Sequence, residues 1–299
     1  MYYQHSGRYS LGGLLLGLAT GCFFGFILAW AYGVGIILVP EVHLAAFATL
    51  TFGGLIGLAT GGGLMWGHVR NNKATIAIAA IAATLSLYLS WAAWIQSIFL
   101  RTGHKRVSWL ALVKHPAAVW YLMKWINHYG TWTIDNGQPT KGWALWLVWG
   151  LEAALVIGIS AAAAYALLLH SPFCETCSQW CRQNVRVLLA PLENPQQLKL
   201  QLESKDLRSL EALGPGPKTA DHLAVTSYSC DRCSQFHTLS VSQTTFHKRK
   251  FGQARVSSAN IVQHLIVGPG EAQALRQISE RVAQASKLKP EKARGAAAG

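Results

Sequence analysis

Four apolar segments, each longer than the roughly 20 residues that a helix needs to cross a bilayer core, occupy most of the first 170 residues. They run over residues 11–39, 42–66, 74–100 and 143–169. None of them has the polar face that a helix on a soluble domain requires. Only 13% of all residues are charged, against about 25% in soluble globular domains. The sequence therefore predicts a membrane α-helical bundle of four transmembrane helices over residues 11–170, after a short N-terminal segment 1–10.

The distribution of positive charge predicts how these spans are oriented, because cytoplasmic loops carry an excess of Lys and Arg. Arg8 precedes the first span, Arg70 and Lys73 follow the second, and 17 Lys and Arg follow the fourth. This pattern places both termini in the cytoplasm and the turn at Pro40 and Glu41 outside. The third loop, residues 101–142, is also basic although the alternation of spans places it outside. Its cations are Arg101, Lys105, Arg106, Lys114, Lys124 and Lys141.

The third loop contains a segment that favours a helix lying on the membrane surface, over residues 116–128. Pro116 suits the first position of a helix, and apolar residues then recur on one side. This stripe consists of Val119, Leu122, Met123 and Ile126. Nine of the 12 Trp residues fall between Trp91 and Trp149, as in the aromatic belt of a membrane protein. We expect an interfacial helix anchored in lipid, and a lid over a substrate is the alternative.

Glycines at every fourth position mark one face of each of the first two spans. The rows are Gly13, Gly17, Gly21 and Gly25, then Gly53, Gly57 and Gly61. This spacing leaves a groove without side chains, so another helix can approach closely. We expect the two spans to pack on each other as a hairpin. Packing against a second copy, which would form a homo-oligomer, is the alternative.

Glu152 is the one acidic residue inside a predicted span. A carboxylate in hydrocarbon is costly unless it is paired, protonated or hydrated. Tyr32, Ser90 and Gln96 lie at a similar predicted depth and are candidate partners. A neutral acid bonded across helices would stabilise the bundle, whereas a proton or ion path needs several such groups. A structural role is favoured, with a transporter or channel using Glu152 as the alternative.

Two Cys-x-x-Cys pairs follow the last span, Cys174 with Cys177 and Cys230 with Cys233. Residues that favour strands flank the second pair, which indicates a hairpin with the thiols at its tip. Four thiolates from two such turns are typical of a structural zinc site. Residues 172–181 and 223–245 resemble a zinc ribbon, and the resemblance implies a closed site that holds one structural zinc ion.

The domain around these thiols is predicted to be a small α+β domain over residues 171–285, followed by a disordered tail over 286–299. Cys181 and His237 are additional candidate ligands of the metal. Helices are expected from Pro195 to Leu213 and from Ala272 to Ala285. Iron on the same four thiolates and a redox-active dithiol are the alternatives to zinc.

The densest basic cluster of this domain consists of His247, Lys248, Arg249 and Lys250. Beside a membrane it could contact anionic lipid headgroups. Nucleic acid is a second candidate partner. The simplest interpretation is a solvated hairpin turn.

The chain contains no P-loop, no G-x-S-x-G, no H-E-x-x-H and no dinucleotide-binding motif, so an enzyme is disfavoured. The glycine-rich hairpin, the turn at Arg70 and Asn71 and the run from Trp149 to Ala153 resemble bacterial four-span membrane proteins with a small cysteine-containing cytoplasmic tail. The resemblance implies a bacterial inner membrane. We expect a scaffold or assembly protein with a cytoplasmic protein partner. A transporter or channel and a membrane-tethered thiol oxidoreductase are the alternatives.

Overall fold

The computed structural model describes residues 1–39, 42–101, 107–131, 139–247 and 255–295. The chain divides into two compact units. One comprises Ser6–His170, and the other combines Met1–His5 with Ser171–Gly299. The turn predicted at Pro40 and Glu41 lies outside the described residues.

The unit Ser6–His170 is helical. Its helices are α1 (Leu11–Gly35), α2 (Val42–Trp66), α3 (Asn72–Arg101), α4 (Trp109–Lys114), α5 (Pro116–Tyr129) and α6 (Trp143–Leu169), with a 3₁₀ turn (Ile36–Leu38) after α1. Four of them are long and apolar enough to cross a membrane: α1 with its 3₁₀ turn, α2, α3 and α6. The prediction of four long apolar helices in the first 170 residues is confirmed.

The four long helices form a ring in which α1 and α6 each pack on both α2 and α3. The glycine row of α2 faces α6. A Cβ atom on Gly53 would lie 2.8 Å from the carbonyl oxygen of Val156, and one on Gly57 would lie 2.8 Å from Cα of Ser160. These distances leave no room for a side chain, so the two backbones are in contact.

The glycine row of α1 faces α2 first and then α3. A Cβ on Gly17 would lie 3.2 Å from the backbone nitrogen of Leu64, and one on Gly21 would lie 2.9 Å from Cβ of Ala82. Helices α1 and α2 thus pack on each other, as the hairpin interpretation predicts. The glycine row of α2 does not take part in this contact, since it faces α6 instead. Each row is covered by other helices of the same chain.

Helix α5 packs on α3 and α6 through the apolar stripe that the sequence indicates. Val119, Met123 and Ile126 are buried against residues such as Ile95 and Leu145. The exposed side of α5 carries large aromatic residues: Trp120, Tyr121, Trp125 and Tyr129. The stripe is therefore the side of α5 that packs on the bundle. The helix is apolar on both sides, and the aliphatic side fits the bundle more closely than the bulky rings do.

The second unit contains an antiparallel sheet of four strands in sequential order. The strands are β3 (Arg182–Leu189), β4 (His222–Ser229), β5 (His237–His247) and β6 (Arg255–Val267), and its helices are α7 (Pro195–Glu203), α8 (Arg208–Glu211) and α9 (Pro269–Gly295). One sheet face packs on these helices, with Leu198, Leu210 and Leu275 fully buried. The predicted hairpin corresponds to β4 and β5. The backbone of α9 is helical to Gly295, because Lys, Ala, Glu and Arg favour helix. The helix thus extends into residues 286–299, for which a disordered tail was predicted.

The first five residues belong to this sheet unit and lie along the free edge of β6. Tyr2 forms a bridge with Leu265, and the Tyr3 N–H donates to the His264 carbonyl at 2.8 Å. An edge strand has unpaired backbone groups, and the N-terminal segment satisfies part of them. Residues 1–10 are therefore not one separate terminus, since the first five join the domain that begins at Ser171.

Candidate metal centre

The first thiol pair lies in a turn between two short antiparallel strands, β1 (Phe173–Cys174) and β2 (Gln179–Trp180). The residue after the second thiol, Ser178, has a left-handed backbone with φ 50°. The backbone amide of Cys177 hydrogen-bonds the sulfur of Cys174. The turn therefore points both sulfurs to the same side and supports one of them with an amide.

The second thiol pair repeats this design at the tip of the β4–β5 hairpin. Ser234 directly follows Cys233 and has φ 49°. Its N–H donates to the carbonyl of Cys230 at 3.1 Å, and the Cys230 N–H donates to the Phe236 carbonyl at 3.0 Å. Both turns thus have the sequence Cys-x-x-Cys-Ser with a left-handed serine, a position at which glycine is the least strained residue. The cysteine spacing predicted the four ligands, whereas the role of the two serines was not predicted from the sequence.

The two turns bring the four predicted ligands together. The sulfurs of Cys174, Cys177, Cys230 and Cys233 all lie within 4.8 Å of one another, and those of Cys174 and Cys233 are 3.8 Å apart. A tetrahedral ion with metal–sulfur bonds of about 2.3 Å requires sulfurs about 3.8 Å apart. A disulfide requires about 2.05 Å, and these thiols are free. The cluster therefore has the size of a site for one metal ion.

The protein surroundings affect the thiols unequally. Backbone amides of Gln235 and Phe236 hydrogen-bond the Cys233 sulfur and lower its pKa to about 6. Desolvation, followed by hydrogen bonds to the neighbouring cysteines, raises the pKa of Cys177 to about 12. Desolvation also raises the pKa of Cys174. Four thiols held this closely cannot all ionise by themselves, and a divalent cation would offset the repulsion.

The two additional candidate ligands do not join the cluster. Cys181 is buried nearby, and burial raises its pKa to about 12, but its sulfur is not among those that converge. The ring nitrogens of His237 lie 2.7 Å from the Ser229 hydroxyl and 2.9 Å from the Ser234 carbonyl. The His237 ring therefore bonds to residues on both sides of the second turn and stabilises it.

Aromatic side chains pack beside the thiols, and two of these rings come from the N-terminal segment. The ring centroids of Tyr3 and Phe236 are 5.6 Å apart, and those of His5 and Trp180 are 6.0 Å apart. The Tyr3 hydroxyl accepts a 3.0 Å hydrogen bond from the N–H of Phe173, the residue before Cys174. An apolar shell of this kind limits solvent access to a metal site. Sequence spacing gave no sign of it, since about 170 residues separate these segments.

Glu152 has a hydrogen-bond partner in Tyr32, one of the three candidates predicted from the sequence. The Tyr32 hydroxyl donates to a carboxylate oxygen of Glu152 at 2.5 Å. The other two candidates bond elsewhere: Ser90 donates to the Leu87 carbonyl and Gln96 to the Val107 carbonyl. One carboxylate and one phenol thus meet between α1 and α6.

The basic cluster is described only at His247, whose Nε2 lies 3.1 Å from the Ser257 hydroxyl. Lys248, Arg249 and Lys250 lie outside the described residues.

Comparisons with models of protein families, with curated proteins and with solved structures found no match for this chain.

Proposed function

We propose that this chain is an integral protein of a bacterial inner membrane and that its four-helix bundle anchors a zinc-binding domain at the cytoplasmic face. The domain acts as a scaffold or assembly module for a protein partner. The observation that carries the proposal is the convergence of four sulfurs within 4.8 Å, in a chain with four helices of membrane-spanning length and hydropathy.

Zinc is the ion that best fits the donors. Four cysteine sulfurs at tetrahedral spacing form a structural zinc site, and such a site contributes directly to folding. The described cysteines form no disulfide, so a shared ion would add a cross-link between the two turns. Iron would accept the same ligands, so the metal has to be identified by elemental analysis.

The closed ligand set favours a scaffold over an enzyme. Catalytic zinc keeps an open position for water or substrate, whereas a site with four protein ligands has none. A dithiol oxidoreductase is disfavoured for a related reason, because oxidation of either pair would remove two ligands from the shared site.

The location of the N-terminal segment supports four crossings. Met1–His5 and Ser171–Gly299 form one unit, so the chain between them has to leave and re-enter the same side of a membrane. This requires an even number of spans, which agrees with four and disfavours a fifth crossing near residues 107–126. Free thiols in turn agree with a reducing cytoplasm.

The hydrogen bond from Tyr32 also bears on the alternative of a transporter or channel. A carboxylate that already has a partner between helices stabilises the bundle, and a conduction path normally has several ionisable groups. The structural role of Glu152 is therefore preferred.

The scaffold proposal is tested by photo-crosslinking of the full chain in cells, followed by mass spectrometry. We expect one dominant protein partner with the intact chain and with the control Cys22→Ser, and loss of that partner with Cys230→Ser. An unchanged partner set in Cys230→Ser would contradict the scaffold role. So would solute flux in proteoliposomes that Glu152→Gln abolishes, which would favour a transporter.

A further inference from the structure

A cavity of about 460 Å³ opens between the C-terminal end of α5 and the N-terminal end of α6. Its lining consists of Lys124, Asn127, His128, Lys141, Gly142 and Trp146. Two lysines and a histidine thus face one cavity, and none of the described residues that line it is acidic. The fold brings these groups together from the two ends of a loop.

The wall between the two lysines is fixed by backbone and side-chain bonds. Asn127 is 7% exposed, and its amide nitrogen donates to the Gly142 carbonyl at 2.8 Å. The Gly142 N–H donates in return to the Asn127 carbonyl at 3.2 Å. These reciprocal bonds hold the end of α5 against the residue at which α6 begins, so the cavity is a built feature of the bundle.

The electrostatic character of the cavity is positive from two sources. Lys124 and Lys141 contribute charge, and neither has an ion pair among the residues that the structure describes. Gly142 precedes the first turn of α6 and provides no side-chain cap, and the unpaired N–H groups of a helix start favour anions. The charged groups of Lys124 and Lys141 and the N-terminal end of α6 therefore all lie at this cavity.

This arrangement accounts for a feature that the membrane bundle leaves unexplained. The third loop is basic even though the alternation of spans places it outside, where Lys and Arg are usually sparse. Lys124 and Lys141 are two of its cations. Their placement around one cavity gives a physical reason for retaining charge in this loop.

We propose that the cavity binds a phosphate-type anion, with Lys124 and Lys141 as the charged contacts and Trp146 as an apolar wall. The anion is either the headgroup of an anionic lipid or a free phosphate. The lipid source rests on the proposed membrane location, and exposed Trp120 and Trp125 on the same helix suit a membrane interface. The free-phosphate source does not depend on that location.

The test uses the full chain and two probes. Inorganic phosphate is titrated by calorimetry into the protein in phosphatidylcholine nanodiscs and in detergent micelles. Retained lipid is counted by native mass spectrometry after reconstitution with phosphatidylglycerol. The cavity variant is Lys124→Gln with Lys141→Gln. The matched control is Lys73→Gln with Lys114→Gln, which removes the same charge from exposed sites outside the cavity.

Retention of phosphatidylglycerol by the intact chain and the control, with a loss of about tenfold or more in the cavity variant, assigns the lipid headgroup. Phosphate binding with the same pattern of variants assigns the free anion. Equal effects in the two double variants, or no binding of either probe, overturn the proposal. Phosphate binding in micelles remains measurable even if the membrane location is wrong, and melting curves confirm that both variants are folded.

Discussion

The phenolic hydroxyl of Tyr32 in α1 donates a 2.5 Å hydrogen bond to Oε1 of Glu152 in α6. The same hydroxyl lies 2.9 Å from the Thr49 hydroxyl in α2, and the Tyr32 ring stacks on Phe52 with centroids 4.6 Å apart. One phenol thus joins three of the four long helices. In an apolar environment such a network is stabilising when all members are paired and costly when one loses its partner.

We expect Tyr32→Phe to destabilise the bundle by about 1–3 kcal/mol, because it leaves the Glu152 side chain without its donor. Glu152→Gln should cost less, since an amide oxygen still accepts from the Tyr32 hydroxyl. Chemical unfolding in detergent micelles measures both values, and the double variant gives the coupling energy. Additive effects of the two substitutions would show that the bond contributes nothing.

Substitutions of glycine in α2 should depend on whether the position faces α6. A Cβ on Gly57 would lie 2.8 Å from Cα of Ser160 and 2.9 Å from Cβ of Ala163, whereas one on Gly62 has no atom within 4 Å. We expect Gly57→Ala to cost about 1–3 kcal/mol of unfolding free energy. Gly62→Ala should be neutral or stabilise by up to about 1 kcal/mol through helix propensity. Equal unfolding curves for the two variants would contradict the packing.

Metal affinity should depend on which side chain occupies the left-handed position of each turn, which is a serine in both. Ser234 has φ 49° and Ser178 has φ 50°. We expect Ser234→Gly to preserve metal affinity, and Ser234→Val to weaken it by about tenfold, since a β-branched side chain fits the left-handed region worse than serine does. Competition with a chromophoric chelator measures the affinity. Weaker binding by the glycine variant than by the valine variant would show that the backbone strain is unimportant.

The thiols of the metal-free, reduced protein should differ in reactivity with pH. The pKa of Cys233 is about 6 and that of Cys177 about 12, and the thiolate is the form that reacts. The rate of Cys233 alkylation by iodoacetamide should rise as the pH passes about 6 and then level off. Cys177 should stay protonated and slow at pH about 7. Peptide mass spectrometry after short labelling decides the order, and faster labelling of Cys177 would contradict it.

Some of this architecture follows from the sequence because the signal is long or chemically specific. A run of apolar residues without a polar face can only become a buried or membrane-spanning helix. Two thiol pairs at two-residue spacing predict a common ion, and the four sulfurs do converge. The helix expected from Ala272 to Ala285 likewise lies within α9, where Leu275, Ile278 and Val282 are buried.

The remaining features depend on contacts between segments that are distant in sequence. The first half of strand β6, residues 255–260, is mostly polar and pairs with β5. The role of Tyr3 beside Phe173 could not be inferred from spacing. Which side of α5 is buried could not be predicted, because two of its sides are apolar and only packing decides between them. His237 was a candidate ligand from the sequence, but both of its ring nitrogens have other partners.

We propose that Cys174, Cys177, Cys230 and Cys233 hold one structural zinc ion in a membrane-anchored chain. The most direct measurement is elemental analysis of the full chain purified from membranes, with free thiols counted before and after metal removal. We expect one zinc ion per chain, lost in Cys230→Ser and retained in Cys22→Ser and Cys181→Ser. A chain without metal whose two pairs are disulfides would contradict it.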